Sequence, residues 1–140
     1  MLRLHRDVWL EMVGHCYDGL PDEACGLLAG PLPPPGSDLA EAARCYPAAN
    51  DAKSAKVYTV NPKDHLRADR DADDHGMAIL GVFHSHTHTD PYPSPTDVAQ
   101  APDPSWHYVI VSLRDDAPMV RSYRIEDGKI AEEAVVLVGR

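Results

Sequence analysis

The chain has 140 residues, enough for one hydrophobic core, and its 44% apolar and 25% charged content is that of a globular rather than a disordered protein. Its 22 acidic residues outnumber 13 basic ones, and the net charge of −9 argues against nucleic acid or an anionic membrane as the main partner. No apolar run approaches the ~20 residues of a membrane span. The opening residues Met1-Leu2-Arg3-Leu4-His5-Arg6-Asp7 lack the apolar centre of an export signal, so a cytoplasmic location is expected.

Residues 1–140 are expected to form a single domain. In chain order, Val8, Trp9, Met12, Val13 and Cys16 recur at helical spacing and predict an amphipathic helix over 6–19. Pro21-Asp22 breaks it, and Glu23-Ala24-Cys25-Gly26-Leu27-Leu28-Ala29-Gly30 reads as a short buried strand. Residues 31–37, rich in proline, are a stiff solvated connection. The alanine-rich stretch 40–48 is ambiguous and can form a strand; Val57-Tyr58-Thr59-Val60 is a better one. Asn61-Pro62-Lys63-Asp64 carries a cap, a proline at the first helical position and an early carboxylate, predicting a helix to about Asp74.

Met77 to His84 is an apolar strand, 85–94 a loop, and a short helix starts at Pro95. Residues 106–113, 120–125 and 130–138 read as closing strands, the last two joined at Asp127-Gly128. The mixture predicts an α/β or α+β fold, one mixed β-sheet flanked by helices. The cysteines, Cys16, Cys25 and Cys45, are odd in number and form no CxxC pair. They read as reduced, buried thiols.

The chemistry concentrates between Gly81 and Asp97. On an extended backbone His84 and His86 point the same way, a natural pair of metal ligands at the end of a buried strand. A catalytic zinc takes three protein ligands and keeps one position for water, so the segment after the strand must supply the third. Ser94-Pro95-Thr96-Asp97 offers a carboxylate, although by itself it also reads as a helix capping box.

His84-Ser85-His86, seven residues, Ser94, two residues and Asp97 resembles the H-[ST]-H-x7-S-x2-D signature of the JAMM (MPN-plus) metalloproteases. Glu23 before the Gly26-Leu27-Leu28 run resembles that family's early-strand glutamate. The resemblance extends from the first helix through the closing strands. It implies one zinc ion held by His84, His86 and Asp97. It implies Glu23 as the general base acting on water, and Ser94 as the hydroxyl that stabilises the oxyanion. The chain departs from many deubiquitinating members, which have proline after the second histidine, in carrying Thr87-His88-Thr89. His88 reads as a loop side chain beside the site, since a fourth protein ligand would close the position that catalysis needs.

Within the family the chain is similar to small bacterial members that process ubiquitin-like sulfur-carrier proteins. Asp22-Glu23-Ala24-Cys25-Gly26, Tyr92-Pro93-Ser94, His107-Tyr108-Val109 and Arg121-Ser122-Tyr123-Arg124-Ile125 carry that likeness. It implies a carrier with a Gly-Gly tail as substrate and cysteine, or a short C-terminal extension, as the group released. The competing readings are a deubiquitinase-like isopeptidase, a non-catalytic MPN scaffold, a closed structural zinc site, and a cysteine hydrolase built on Cys25.

Overall fold

Leu2-Arg3-Leu4-His5 alternates apolar and charged side chains and forms a strand ahead of the first expected helix. In the computed structural model, which describes residues 1–139, β1 (Leu2–His5) buries Leu2 and Leu4 and leaves Arg3 exposed. α1 (Arg6–Asp18) follows at once and buries Val8, Met12, Val13 and Cys16, as their spacing predicts. The chain continues as β2 (Cys25–Gly30), β3 (Ala40–Ala42), β4 (Arg44–Ala48) and α2 (Pro62–Asp74). It goes on through β5 (Ala78–His86), α3 (Pro95–Ala99), β6 (His107–Ser112), β7 (Met119–Glu126), β8 (Lys129–Glu133) and β9 (Val135–Val138).

Six strands make a mixed sheet in the order β4-β2-β5-β6-β7-β8, with β5 and β6 parallel and the other neighbours antiparallel. This is the expected sheet, and helices cover it. One face packs Leu28, Phe83, Val109 and Val111 against α1 and against Leu2 and Leu4 of β1. The other gathers Leu27, Val82, Tyr108 and Ile110 with Tyr58 and with Ala68 of α2. In β2 the ring of Phe83 lies where a side chain on Gly26 would start, 2.4 Å from an ideal Cβ, so only glycine lets the two strands close over that ring.

A second sheet was not expected: β3, β1 and β9 pair in parallel, in that order. The stretch 40–48 therefore holds two strands, β3 and β4, in different sheets. Residues 130–138 likewise divide into β8 and β9, with Ala134 between them.

Val57–Val60 is not a strand. Only Val60 makes a bridge, to Asn50. The Asn50 amide takes up the groups that a neighbouring strand would use. Its Nδ2 donates to the carbonyls of Glu23 (2.9 Å) and Val57 (3.1 Å), and its Oδ1 accepts from the N–H groups of Ala52 (3.0 Å) and Thr59 (2.9 Å). One side chain thus ties residues 50–60 into a loop. α2 starts as its sequence predicts, with Asn61 Oδ1 accepting from the N–H groups of Lys63 and Asp64.

Candidate metal centre and cleft

The ligand strand β5 alternates strictly at its end. Val82 points to the α2 side, Phe83 to the α1 side, and His84 and His86 follow Val82. β5 runs two residues further than the sequence predicts, so both histidines sit on regular strand. Ser94 caps α3: its Oγ accepts from the N–H of Asp97 (3.1 Å), and its own N–H donates to Asp97 Oδ2 (2.9 Å). The capping box is real, and it aims the carboxylate at the histidines.

His84 Nε2, His86 Nε2 and Asp97 Oδ2 form a triangle with sides of 3.1, 3.2 and 3.0 Å. All three residues are buried, and together they can hold a metal ion. Ligand bonds of ~2.0–2.1 Å at tetrahedral angles put ligand atoms about 3.3 Å apart, close to this triangle.

Hydrogen bonding makes the same point. His86 Nδ1 lies 2.7 Å from the carbonyl of Asp90, which can only accept, so Nδ1 carries the proton. In the neutral ring Nε2 is then a lone pair facing the Asp97 carboxylate oxygen. Two acceptors at 3.0 Å repel each other, and a cation between them removes the conflict.

Burial lowers the pKa of His84, outweighing the support it receives from Asp97, so its ring stays neutral and able to ligate. Asp97 is held well below the usual carboxylate range. Burial works to raise it, but the polar contacts with the His84 and His86 rings and the N–H donated by Ser94 prevail. Tyr58 stacks on the His84 ring at 4.2 Å between centroids, 17° from parallel, and fixes its plane.

Glu23 lies just before β2, not on it. Cys25 pairs with His84 in register, and Ser85 between the two histidines continues the match. Its N–H donates to the Ala24 carbonyl (2.9 Å), and its Oγ accepts from the Ala24 N–H (2.9 Å). Glu23 is carried in this way to the side of His86. It is 5% exposed, and its Oε1 has no hydrogen-bond partner among the described residues. Burial pushes its pKa up to about 7, with His86 opposing the rise and Asp97 adding to it.

Glu23, Lys56, His86, His88 and Ser94 line a cleft of about 310 Å³. His88 is exposed on its lip and outside the metal triangle, as its loop position predicts. Tyr58 also lines a second, apolar groove of about 320 Å³ with Val82, Trp106 and Tyr108. Cys25 is fully buried and its thiol is pushed up to about 12, chiefly by burial, so it is a neutral core residue.

The sequence passed over three of these residues. Ser85 stood inside the motif but drew no role. Tyr58 sat in a stretch read as strand and Lys56 just before it, and no spacing signal marks a loop that folds back over the His84–His86–Asp97 triangle.

A profile of prokaryotic homologs of the JAB domain matches residues 5–126. The chain belongs to the JAB-domain family. The CysO-cysteine peptidase of Mycobacterium tuberculosis is 42% identical over 139 residues, 99% of this chain and 92% of that protein. The desampylase of Haloferax volcanii is 31% identical over 116 residues, covering 79% of this chain and 80% of that one. The solution structure of a protein from Desulfitobacterium hafniense superposes with a TM-score of 0.90 at 35% identity, over 100% of this chain and 94% of the other. These kinships bear out the JAMM/MPN resemblance and the mixed fold, and they make the chain a hydrolase of the JAB family.

Proposed function

We propose that the protein is a zinc-dependent hydrolase that cleaves the amide bond between the C-terminal glycine of a ubiquitin-like sulfur-carrier protein and an attached cysteine or short peptide. The observation that carries the metal part of this reading is the triangle of His84, His86 and Asp97, whose facing acceptors ask for a cation. Zinc fits the nitrogen–nitrogen–oxygen set, and when bound it supplies an acidified water and polarises the scissile carbonyl.

The protein's own groups do the rest. Glu23, buried with a free carboxylate oxygen and a raised pKa, takes the proton from the attacking water. It then returns that proton to the nitrogen as the carbon–nitrogen bond breaks, leaving a glycine carboxylate on the carrier and a free amine. Ser94 Oγ accepts the Asp97 N–H, and its own proton has no partner among the described residues, so it can donate to the developing oxyanion.

The substrate class is supported by the CysO-cysteine peptidase and desampylase relatives, both of which point to small ubiquitin-like proteins. The groove at Tyr58 and the cleft at Glu23 give room for a linear substrate on either side of the His84–His86–Asp97 triangle. Glycines at the scissile bond suit a site whose ligands are so deeply buried. We take residues 1–140 as one catalytic domain.

The test is mass spectrometry of a carrier–cysteine adduct incubated with the zinc-loaded enzyme. Loss of one cysteine residue is expected. The desampylase relative keeps a second reading in view, an isopeptidase that frees a carrier from a lysine side chain. An intact cysteine adduct beside efficient cleavage of a lysine-linked conjugate would establish that reading instead.

A further inference from the structure

The cleft at Glu23 carries a positive charge that the hydrolytic chemistry does not use. Lys56 lines it together with Glu23, His86 and Ser94. Its backbone is fixed: its N–H donates to Ser54 Oγ (3.0 Å), while the neighbouring carbonyls of Ser54, Ala55 and Val57 accept from Glu23 N–H, Thr87 Oγ1 and Asn50 Nδ2. The side chain, in contrast, is exposed, and among the described residues it makes no ion pair. An exposed ammonium on an anchored stem therefore stands at the wall of the cleft that Glu23 lines, in a chain of net charge −9.

The cleft must receive the leaving group. Glu23 hands its proton to the departing nitrogen, so the atoms attached to that nitrogen lie in the cleft that Glu23 lines. When the leaving group is a single amino acid, its α-carboxylate is two bonds from that nitrogen. The anion then enters the same cleft, close to the carboxylates of Glu23 and Asp97, and unopposed it would be repelled.

We infer that Lys56 is a specificity-determining residue that binds the α-carboxylate of the departing amino acid. The inference rests on the sulfur-carrier reading above. It explains how one site would favour a released cysteine over a lysine side chain, whose amine is followed by an uncharged alkyl stem. Lysine suits this task because the ammonium is a compact point charge on a flexible arm. The contact forms on binding and persists through the reaction, so it acts on KM more than on kcat.

The experiment compares two substrates with the zinc-loaded full chain: the carrier–cysteine adduct and the same adduct with its terminal carboxylate capped as a primary amide. The wild type is expected to prefer the free acid in kcat/KM by about tenfold or more, the scale of a charge-assisted hydrogen bond. Lys56→Met is expected to collapse that preference toward unity through a rise in KM for the free acid. Lys56→Arg, which keeps the charge, is expected to retain most of it. A wild type indifferent to the cap, or a Lys56→Met variant that keeps the preference, overturns the inference alone. A wild type that leaves both adducts intact overturns the sulfur-carrier reading, and the inference with it.

Discussion

His84, His86 and Asp97 were legible because their geometry is local. Alternation along a strand sets the two rings on one side, and a capping box four residues long orients the carboxylate. Glu23 was legible only through family resemblance, since nothing in its neighbourhood reveals that residue 23 meets residue 86. Tyr58 and Lys56 were not legible, because their positions depend on the Asn50 amide holding a loop together from its first residue. The base assignment can be tested at this scale. Glu23→Gln keeps the shape of the side chain but removes the proton acceptor. Hydrolysis is expected to fall by at least about 10²-fold while zinc content, read by metal analysis, stays unchanged. Near-normal turnover would reduce Glu23 to a structural residue, and loss of zinc would make it a ligand.

Helices and long strands followed from periodicity, and Asn61 and Ser94 cap α2 and α3 as their sequences predict, whereas α1 follows His5 without a side-chain cap. The short strands did not follow from periodicity. β3 has three residues and β9 four, too few for alternation to speak, and their pairing with β1 is fixed only when the chain is folded. The division of 130–138 into two strands has a further effect, because it leaves Glu133 at the end of β8 pointing inward. Glu133 Oε2 accepts from Ser122 Oγ (2.7 Å) and meets His107 Nδ1 (2.5 Å), binding β6, β7 and β8 together beneath the surface. Burial works to raise the pKa of Glu133, but the hydrogen bonds from His107 and Ser122 outweigh it and the net shift is downward. A carboxylate lowered in the folded state stabilises it fully above the unfolded value of about 4.3, and that stability is lost as pH falls through the folded value. The melting temperature of the wild type is therefore expected to exceed that of Glu133→Gln at pH 7, with the gap closing below about pH 4. A gap that is constant from pH 7 to pH 3 would show that the charge of Glu133 does not stabilise the sheet.

At the scale of the molecule, the metal triangle joins β5 to α3, and Tyr58 and the Asn50 loop close over it. Binding of an ion to the folded chain alone stabilises by about 4 kcal/mol at a free concentration a thousandfold above Kd. In a domain of this size that corresponds to a shift of roughly ten degrees. Chelation is expected to lower the melting temperature by that order, and added zinc to restore it. His84→Ala combined with His86→Ala is expected to melt at one temperature with or without zinc. A zinc-dependent shift that survives in the double variant would place the ion elsewhere.

The small sheet has a bearing on how the chain is made. Leu2 pairs with Val135 and His5 with Val138, so β1 is made long before its partner β9. Closing so long a loop costs entropy that no nearby contact repays in advance. While synthesis proceeds, β1 offers Leu2 and Leu4 with no strand beyond β3 to cover its open edge, and Arg3 between them is the one charge that discourages a stranger from docking there. Six strands of the large sheet can assemble around the ligand strand before that edge is sealed. The small sheet is finished only when β9 reaches β1, and until then that edge is exposed to mispairing.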